Sequence, residues 1–339
     1  MTRAVLVTGG AGFVGSHVCK ALQREGYLPV VFDNLSHGHR WAVRYGPLEI
    51  GDILNTQRLV EVLWRHRPMA VMHFASCIAV GESMADPGKY YRNNVTGTLS
   101  LVEAMRETGT RKLVFSSSAA VYGNPLHLPL DEDHPQAPVS PYGASKQMCE
   151  RIIADFGAAH EFSTVALRYF NAAGADPDGE LGEEHEPETH LIPLVLEVAA
   201  GLRAAIDIYG DAYPTHDGTC VRDYVHVTDL AQAHVLALRK LDTGSGSLAY
   251  NLGTGSGNTV MEVIRTVRRV TGRDVPVRVA PRRPGDPAIL LADGTRARKD
   301  LGWSPQYTDI DDIVRHAWRW YRGVRRGVEL RSVRNTKLA

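Results

Sequence analysis

The run Ala4-Val5-Leu6-Val7-Thr8 leads straight into Gly9-Gly10-Ala11-Gly12-Phe13-Val14-Gly15. A short, continuous, β-branched run bounded by glycine reads as a buried parallel strand. The residues that follow, over about 12–25, carry helical periodicity. Strand, glycine turn and helix in that order are the phosphate-binding arrangement of a dinucleotide fold. Gly9 permits the tight turn, Gly12 lets the backbone approach a pyrophosphate, and Gly15 lets helix and strand pack closely. Free N–H groups at the helix start then face the phosphates. The spacing is GxxGxxG rather than the GxGxxG of other dinucleotide enzymes.

The alternation continues along the chain. Strands are expected at 28–32, 69–74, 111–116 and 163–168, with helices at 55–66, 86–108 and 140–160. Such alternation means βαβ units and a doubly wound parallel α/β sheet of the Rossmann type. After about Asn171 the texture changes. Residues 174–189, rich in Gly, Asp, Glu and Pro, read as a loop, followed by a helix over about 191–202. The stretches 223–240 and 248–270 again read as strand then helix. The expected organisation is a dinucleotide-binding domain over 1–170, a smaller C-terminal α/β substrate domain over 171–330 and a tail over 331–339, with segments near 223–253 packing back on the first domain. A chain of 339 residues suits about two domains.

Asp33 closes the second strand. A carboxylate there accepts hydrogen bonds from ribose hydroxyls and repels a 2′-phosphate, so NAD is favoured over NADP. Asp52 and Ile53, at the end of the third strand, stand where an adenine contact is expected. Tyr142-Gly143-Ala144-Ser145-Lys146 places Tyr142 and Lys146 four residues apart, on one helix face. Tyrosine titrates near ~10 and is a poor base at neutral pH. A neighbouring ammonium and a nicotinamide cation would stabilise phenolate and lower that value. Ser116, Ser117 and Ser118 end another strand, where a hydroxyl could bond a reacting oxygen.

Composition excludes other classes. Lys+Arg and Asp+Glu both total 38, so neither nucleic acid nor an anionic membrane surface is implied as a partner. No stretch approaches the ~20 apolar residues of a membrane span. Cys19, Cys77, Cys149 and Cys220 lack metal-type or CxxC spacing, so no metal is expected and reduced thiols in a cytoplasmic protein are the default. The basic stretch from Arg322 to Arg334 reads as a solvated tail.

The chain resembles the extended short-chain dehydrogenase/reductases, in particular their nucleotide-sugar epimerase branch, from Val7 to about Trp320. The segments that carry the likeness are Val80-Gly81-Glu82-Ser83, Asn93-Asn94-Val95, Phe115-Ser116-Ser117-Ser118, Val121-Tyr122-Gly123 and Ser140 through Lys146. Further on come Leu167-Arg168-Tyr169-Phe170-Asn171, Tyr213-Pro214-Thr215, Asp217-Gly218-Thr219 and Val221-Arg222-Asp223-Tyr224-Val225-His226-Val227. Tyr250-Asn251-Leu252-Gly253 and Arg282-Arg283-Pro284-Gly285-Asp286 complete the set.

The resemblance implies an isomerase that interconverts UDP-galactose and UDP-glucose by transient oxidation at C4, with NAD retained through each turnover. It gives Tyr142 the proton of the 4-hydroxyl, aided by Ser118, with Lys146 as activator. It adds Phe13, Val14, Asn34, Phe74, Ala75, Asn93, Ser116 and Phe170 to the cofactor contacts. It assigns the UDP-sugar to Asn171, His190, Leu191, Tyr209, Arg222, Arg283, Asp286 and Leu290. The two arginines suit the diphosphate, Asp286 the uridine ribose and Tyr209 the uracil. Leu290 lies where residue size gates an N-acetyl group, so N-acetylated or other UDP-sugars are the alternative substrates.

Two departures from relatives stand out: Ile78 where a lysine is common, and His190 where some members have asparagine. Related dehydratases carry an acidic pair before the Val-Tyr-Gly motif, and related decarboxylases a glutamate; here Ala119 and Ala120 can move no proton. A non-catalytic NAD-binding protein would lack Tyr142 or Lys146, and both are present. The family also implies a homodimer built on the helices near 86–108 and 140–160.

Overall fold

The computed structural model describes residues 3–244, 246–283 and 286–336. Pro284 and Gly285 of the Arg282–Asp286 motif therefore lie outside the described residues. The chain opens with β1 (Ala4–Thr8), α1 (Phe13–Arg24), β2 (Leu28–Asp33), β3 (Leu48–Ile50), α2 (Thr56–His66) and β4 (Ala70–His73). Then come α3 (Val80–Ala85), α4 (Pro87–Tyr90), a π-helical stretch (Tyr91–Thr96), α5 (Gly97–Thr108), β5 (Lys112–Ser116), α6 (Pro141–His160) and β6 (Ser163–Arg168). The remainder holds β7 (Asn171–Ala173), α7 (Leu191–Ala199), β8 (Ile206–Tyr209), β9 (Val221–Arg222), β10 (Tyr224–His226) and α8 (Val227–Lys240). It ends with β11 (Gly246–Asn251), β12 (Asn258–Thr259), α9 (Val260–Thr271), β13 (Val277–Ala280), β14 (Ile289–Leu290), α10 (Thr295–Leu301) and α11 (Ile310–Thr336).

Among the described residues the main sheet has seven strands in the order β11-β6-β5-β4-β1-β2-β3. All its pairings are parallel. The apolar runs of β1 and β4 are buried along their whole length, as a sheet covered on both faces requires. One core layer joins β1 and β2 residues such as Val5 and Val31 to Val18 and Leu22 of α1 and Leu230 and Leu238 of α8. The opposite layer joins Leu6, Val30 and Phe115 to Leu59 of α2, Leu101 of α5 and Ile153 of α6. β11 pairs with β6 at the sheet edge, so the 223–253 region returns to the first sheet.

Chain order reverses between β1 and β4. In such sheets a ligand crevice opens beyond the carboxyl ends of the strands at that switch point. The glycine turn after β1 and Phe74-Ala75 after β4 both lie there.

The helix expected over 86–108 forms as one run from Pro87 to Thr108, with the π stretch between α4 and α5. Asp86 caps α4 by accepting from Lys89 N at 3.1 Å, and Pro87 takes the first helical position. The π stretch carries Asn93 and Asn94, and such insertions often mark functional sites. The later residues build a separate core around Val195, Ile208, Val263, Val267 and Val314, between α7, α9 and α11. α11 continues to Thr336, so residues 331–336 are helical, while 337–339 lie outside the described residues.

Candidate active site

The turn after β1 is shaped by contacts that admit no side chain. Gly9 has φ +72°, and a Cβ on it would lie 2.5 Å from Ala75 N. A Cβ on Gly15 would sit 2.3 Å from Gly9 O. A Cβ on Gly12 would meet only Gly9 O, at 3.4 Å, so its outward face is open. Gly12 caps α1 without a side-chain hydrogen bond, which leaves the first-turn N–H groups of Phe13, Val14 and Gly15 turned outward. That end therefore suits a phosphate group. Val14 packs on the core below.

Asp33 is buried at the end of β2, where Oδ2 accepts from Ala11 N at 3.0 Å and Oδ1 from Leu35 N at 2.8 Å. Burial raises its pKa, against the pull of those two bonds. Each oxygen keeps a lone pair for a ribose hydroxyl. Asn34 donates to Asp52 at 3.0 Å, tying the second strand end to the third. Ile53 is buried, and its side chain packs against Gly97 in the core, so only its backbone is offered to a base. The ring of Phe74 lies 4.8 Å from that of His234.

Asn93, expected at the cofactor, stands on the π stretch beside a second amide. The fully buried amide is Asn94. Its Oδ1 accepts from Cys77 N at 2.8 Å, and its Nδ2 donates to Cys77 O at 3.1 Å and Ser145 Oγ at 3.0 Å. Asn93 is half-buried and donates to Asn94 at 2.9 Å. Asn94 thereby joins the loop after β4 to the middle of the Tyr142–Lys146 turn. The doublet Asn93-Asn94 is visible in the sequence, and the fold adds Asn94 as a buried brace behind the expected cofactor contact Asn93.

Ser140 begins α6 by accepting from Gly143 N at 3.2 Å, with Pro141 at the first helical position. Such a cap stabilises a helix by about 1 kcal/mol. A Cβ on Gly143 would lie 2.5 Å from Ala120 O, so the start of α6 presses directly on the turn that holds Ser118. Tyr142 and Ser118 are thereby brought face to face, and the Ser118 hydroxyl is near enough to act on the phenol. Ser118 Oγ also accepts from Ala120 N at 3.1 Å. Lys146 is buried, donates to Ser116 O at 2.9 Å, and stands 6.0 Å from the Tyr142 ring centroid.

Burial pushes Lys146 down to about 8, with Cys149, Glu150 and Cys77 opposing. The lowering expected for Tyr142 counts on a nicotinamide cation as well as Lys146. Burial raises the phenol's pKa, and the opposing influence is the Ser118 hydrogen bond rather than Lys146. Lys146 gives one donor to the Ser116 carbonyl and keeps its charge beside the phenol, and a nicotinamide cation would add to it. Two ammonium protons remain for that ligand. The Ser116 hydroxyl shares a 2.6 Å hydrogen bond with Tyr169.

Across the crevice, three short pairings assemble the other half of the site. The order β12-β9-β14 puts Arg222 beside Leu290. Arg222 donates to Asp286 and, at 2.7 Å, to Val221 O. β8 pairs with β13 at Tyr209 and Ala280, and Arg283 lies 4.0 Å over the Tyr209 ring. β7 pairs with β10 at Asn171 and Tyr224, and Asn171 donates to Asp223 O at 2.8 Å. Phe170 and Leu290 pack on the Ala119, Val121, Tyr122 and Leu130 cluster. Asp223, a residue sequence reasoning gave no role, accepts from Thr254 N at 3.1 Å and Thr254 Oγ1 at 2.7 Å. It also accepts from Ala292 N at 3.3 Å, so one buried carboxylate braces the strand carrying Arg222 against that carrying Leu290.

His190 caps the start of α7 just before Leu191, and its Nδ1 is turned to Glu183 rather than outward. Burial lowers its pKa, but the Glu183 and Glu188 carboxylates outweigh that and raise it. Ile78 is 44% exposed and makes no hydrogen bond that a lysine there could have made.

Residues 5–253 match the model of the NAD dependent epimerase/dehydratase family. The UDP-glucose 4-epimerase of Rhizobium leguminosarum bv. trifolii is 52% identical over 317 residues, covering 94% of this chain and 97% of that one. The structure of UDP-glucose 4-epimerase from Brucella ovis in complex with NAD has a TM-score of 0.92 and 54% identity, covering 94% of this chain and 98% of that one. The Bifidobacterium longum UDP-glucose 4-epimerase in complex with NAD+ and UDP has a TM-score of 0.90 and 39% identity, over 94% of this chain and 98% of that one.

Proposed function

We propose roles for the site residues from the premise that the chain belongs to the NAD dependent epimerase/dehydratase family. It is an isomerase that interconverts UDP-galactose and UDP-glucose at C4 with NAD as cofactor. The open face of Gly12, the free lone pairs of Asp33 and the spare donors of Lys146 fit that cofactor. When bound, NAD accepts the C4 hydride and returns it to the opposite face of the sugar.

Tyr142 takes the proton from the 4-hydroxyl as the hydride leaves and gives it back as the hydride returns. The Ser118 hydroxyl orients that oxygen and shares the proton. Lys146 stabilises the phenolate and holds the nicotinamide ribose. Arg222 and Arg283 bind the diphosphate, which requires the guanidiniums to exchange Asp286 and the Tyr209 ring for phosphate oxygens. Asp286, once released, accepts from the uridine ribose, and Tyr209 stacks on uracil. Anchoring at that end leaves the sugar free to turn. Asn171, His190 and Leu191 line the sugar and phosphate side, and Leu290 limits the room beside it. Ala119 is buried and carries no acid, so the keto sugar meets no group there to divert it.

The observation that carries these roles is the contact of Tyr142 with Ser118, one helical turn from buried Lys146. The test is to incubate purified enzyme with UDP-galactose and no added NAD. UDP-glucose should form. A 4-keto-6-deoxy product, or carbon dioxide from a uronic acid substrate, would overturn the assignment. Tyr142→Phe should keep bound NAD and lose turnover; full activity in that variant would remove Tyr142 from the mechanism.

A homodimer through α5 and α6 is supported by Leu99 and Met148, apolar and 37% and 45% exposed on those helices. Sedimentation should give twice the chain mass; a monomer would refute it. No described helix is long and apolar enough to cross a membrane. Four buried free cysteines support a reducing, cytoplasmic setting.

A further inference from the structure

The loop between β7 and α7 gathers two carboxylates and two imidazoles. Ligand atoms of Glu183, His185, Glu188 and His190 all lie within 4.8 Å of one another. His185 Nδ1 is 3.4 Å from Glu183 Oε1 and 3.6 Å from Glu188 Oε2. His190 Nδ1 contacts Glu183 Oε1 and is 4.0 Å from Glu188 Oε1. Both carboxylate side chains are almost enclosed, at 5% and 8% exposure. Acidic clusters on a surface are common and solvated. Here the carboxylates are sheltered, and among the described residues they meet imidazoles and backbone N–H groups.

Donors about 2.05 Å from a zinc ion in a tetrahedral shell stand ~3.4 Å apart along each edge. The 3.4 and 3.6 Å separations from His185 approach that edge, the 4.0 Å separation exceeds it, and the directly bonded His190–Glu183 pair must open to reach it, so closing on an ion needs side-chain movements. Supporting contacts of the kind that orient metal ligands are also present. Thr189 N and His190 N donate to Glu188 Oε1 at 2.7 and 2.8 Å. A third imidazole, His17 on α1, is buried, and its Nε2 has no hydrogen-bond partner among the described residues. Two imidazoles and two carboxylates suit a borderline divalent cation better than a hard one such as calcium.

We propose that Glu183, His185, Glu188 and His190 bind a divalent transition-metal cation, zinc foremost, as a closed four-ligand structural site. The bound ion fastens this loop and the start of α7. The other end of the loop is already held to α1 by Lys20, which pairs with Asp176 at 2.7 Å, Asp178 at 3.0 Å and Glu180 at 2.8 Å. Trp320 of α11 lies flat against Gly182, where a Cβ would come within 2.1 Å of its ring. Filling the site would make the stretch from Asp176 to Leu191 one rigid bridge from the cofactor side to the sugar side. The expectation of no metal rested on the cysteine spacing, and the ligands proposed here are histidine and glutamate.

The experiment uses full-length, NAD-loaded protein purified without chelator, stripped by dialysis against EDTA, then titrated with Zn2+ and with Co2+. One equivalent per chain is expected, with the intense visible bands of four-coordinate Co2+. X-ray absorption at the zinc edge should show two imidazole and two oxygen donors. His185→Gln and Glu188→Gln should each weaken Zn2+ binding at least about tenfold. No stoichiometric uptake by the parent protein would overturn the proposal, and so would undiminished affinity in both variants. A zinc shell containing sulphur would overturn it even if neither variant folded.

Discussion

Glu150 sits one turn beyond Lys146 on α6 and grips Arg168 of β6 in a two-point contact. Arg168 Nη2 donates to Glu150 Oε2 at 2.5 Å and Nε to Oε1 at 2.9 Å. Ser117 Oγ donates to the same Oε1 at 2.5 Å, and Arg168 Nη1 donates to Tyr122 OH at 2.9 Å. The pair is enclosed, with 5% of the Arg168 side chain and 11% of the Glu150 side chain exposed. It therefore fastens the helix of Tyr142 and Lys146 to the strand end of Ser116 and Ser118. Glu150→Ala leaves a buried guanidinium with the Tyr122 hydroxyl as its remaining side-chain partner, which should cost about 3–5 kcal/mol. Glu150→Leu combined with Arg168→Met removes both charges, and such exchanges are often neutral or stabilising. The double variant should then be more stable than Glu150→Ala. The assay is equilibrium urea unfolding at fixed protein and saturating NAD, because ligand and assembly both shift apparent stability. A loss below about 1 kcal/mol in Glu150→Ala would put the pair in the exposed-bridge class. A double-variant loss equal to the sum of the two single changes would equally refute the reasoning, since contacting charges must couple.

Three further outcomes follow from the geometry. Gly15→Ala places a methyl 2.3 Å from Gly9 O and 2.9 Å from Gly10 Cα, both backbone, so the turn must open. NAD retained per chain after gel filtration should fall sharply, and full occupancy would show that the turn tolerates the methyl. His73, bonded to Thr8 Oγ1 at 2.7 Å and Thr98 Oγ1 at 3.1 Å, is pushed down to about 3 by burial first and Lys146 second. Its folded pKa lies below the unfolded 6.5, so the unfolded chain takes up the proton first and stability is lost as pH falls from 6.5 toward 3. His73→Gln should flatten that acid limb in unfolding curves; an unchanged limb would assign it to other groups. Leu290→Ala, beside Arg222, should raise kcat/KM for N-acetylated relative to plain UDP-hexoses about tenfold, the scale of a few methylenes in a pocket. An unchanged ratio would remove Leu290 from substrate selection.

Much of this arrangement was legible along the chain because it depends on near neighbours. β1, the glycine turn and α1 follow from a β-branched run, three glycines and a helical period. Tyr142 and Lys146 share a face because four residues make about one helical turn. Asp33 ends β2 where a ribose carboxylate belongs. In each case the physical cause lies within a few residues of its effect.

Other features needed the folded molecule. Asn94 is buried against Cys77 and Ser145, a bracing role that the Asn93-Asn94 doublet alone does not reveal. Arg222 meets Asp286, and Arg283 covers Tyr209, across gaps of more than sixty residues that only β9, β14, β8 and β13 close. Burial pushes the pKa of Tyr142 up in the protein without ligand, a consequence of the whole surrounding fold. Glu183, His185, Glu188 and His190 lie close in the chain yet carry no familiar spacing, and loop folding turns their ligand atoms toward one point. Local periodicity and turn chemistry determined which elements form and which residues share a face. Desolvation and charge pairing act through space, so the tertiary structure alone decided which polar groups are buried, which charges meet and how each site is tuned.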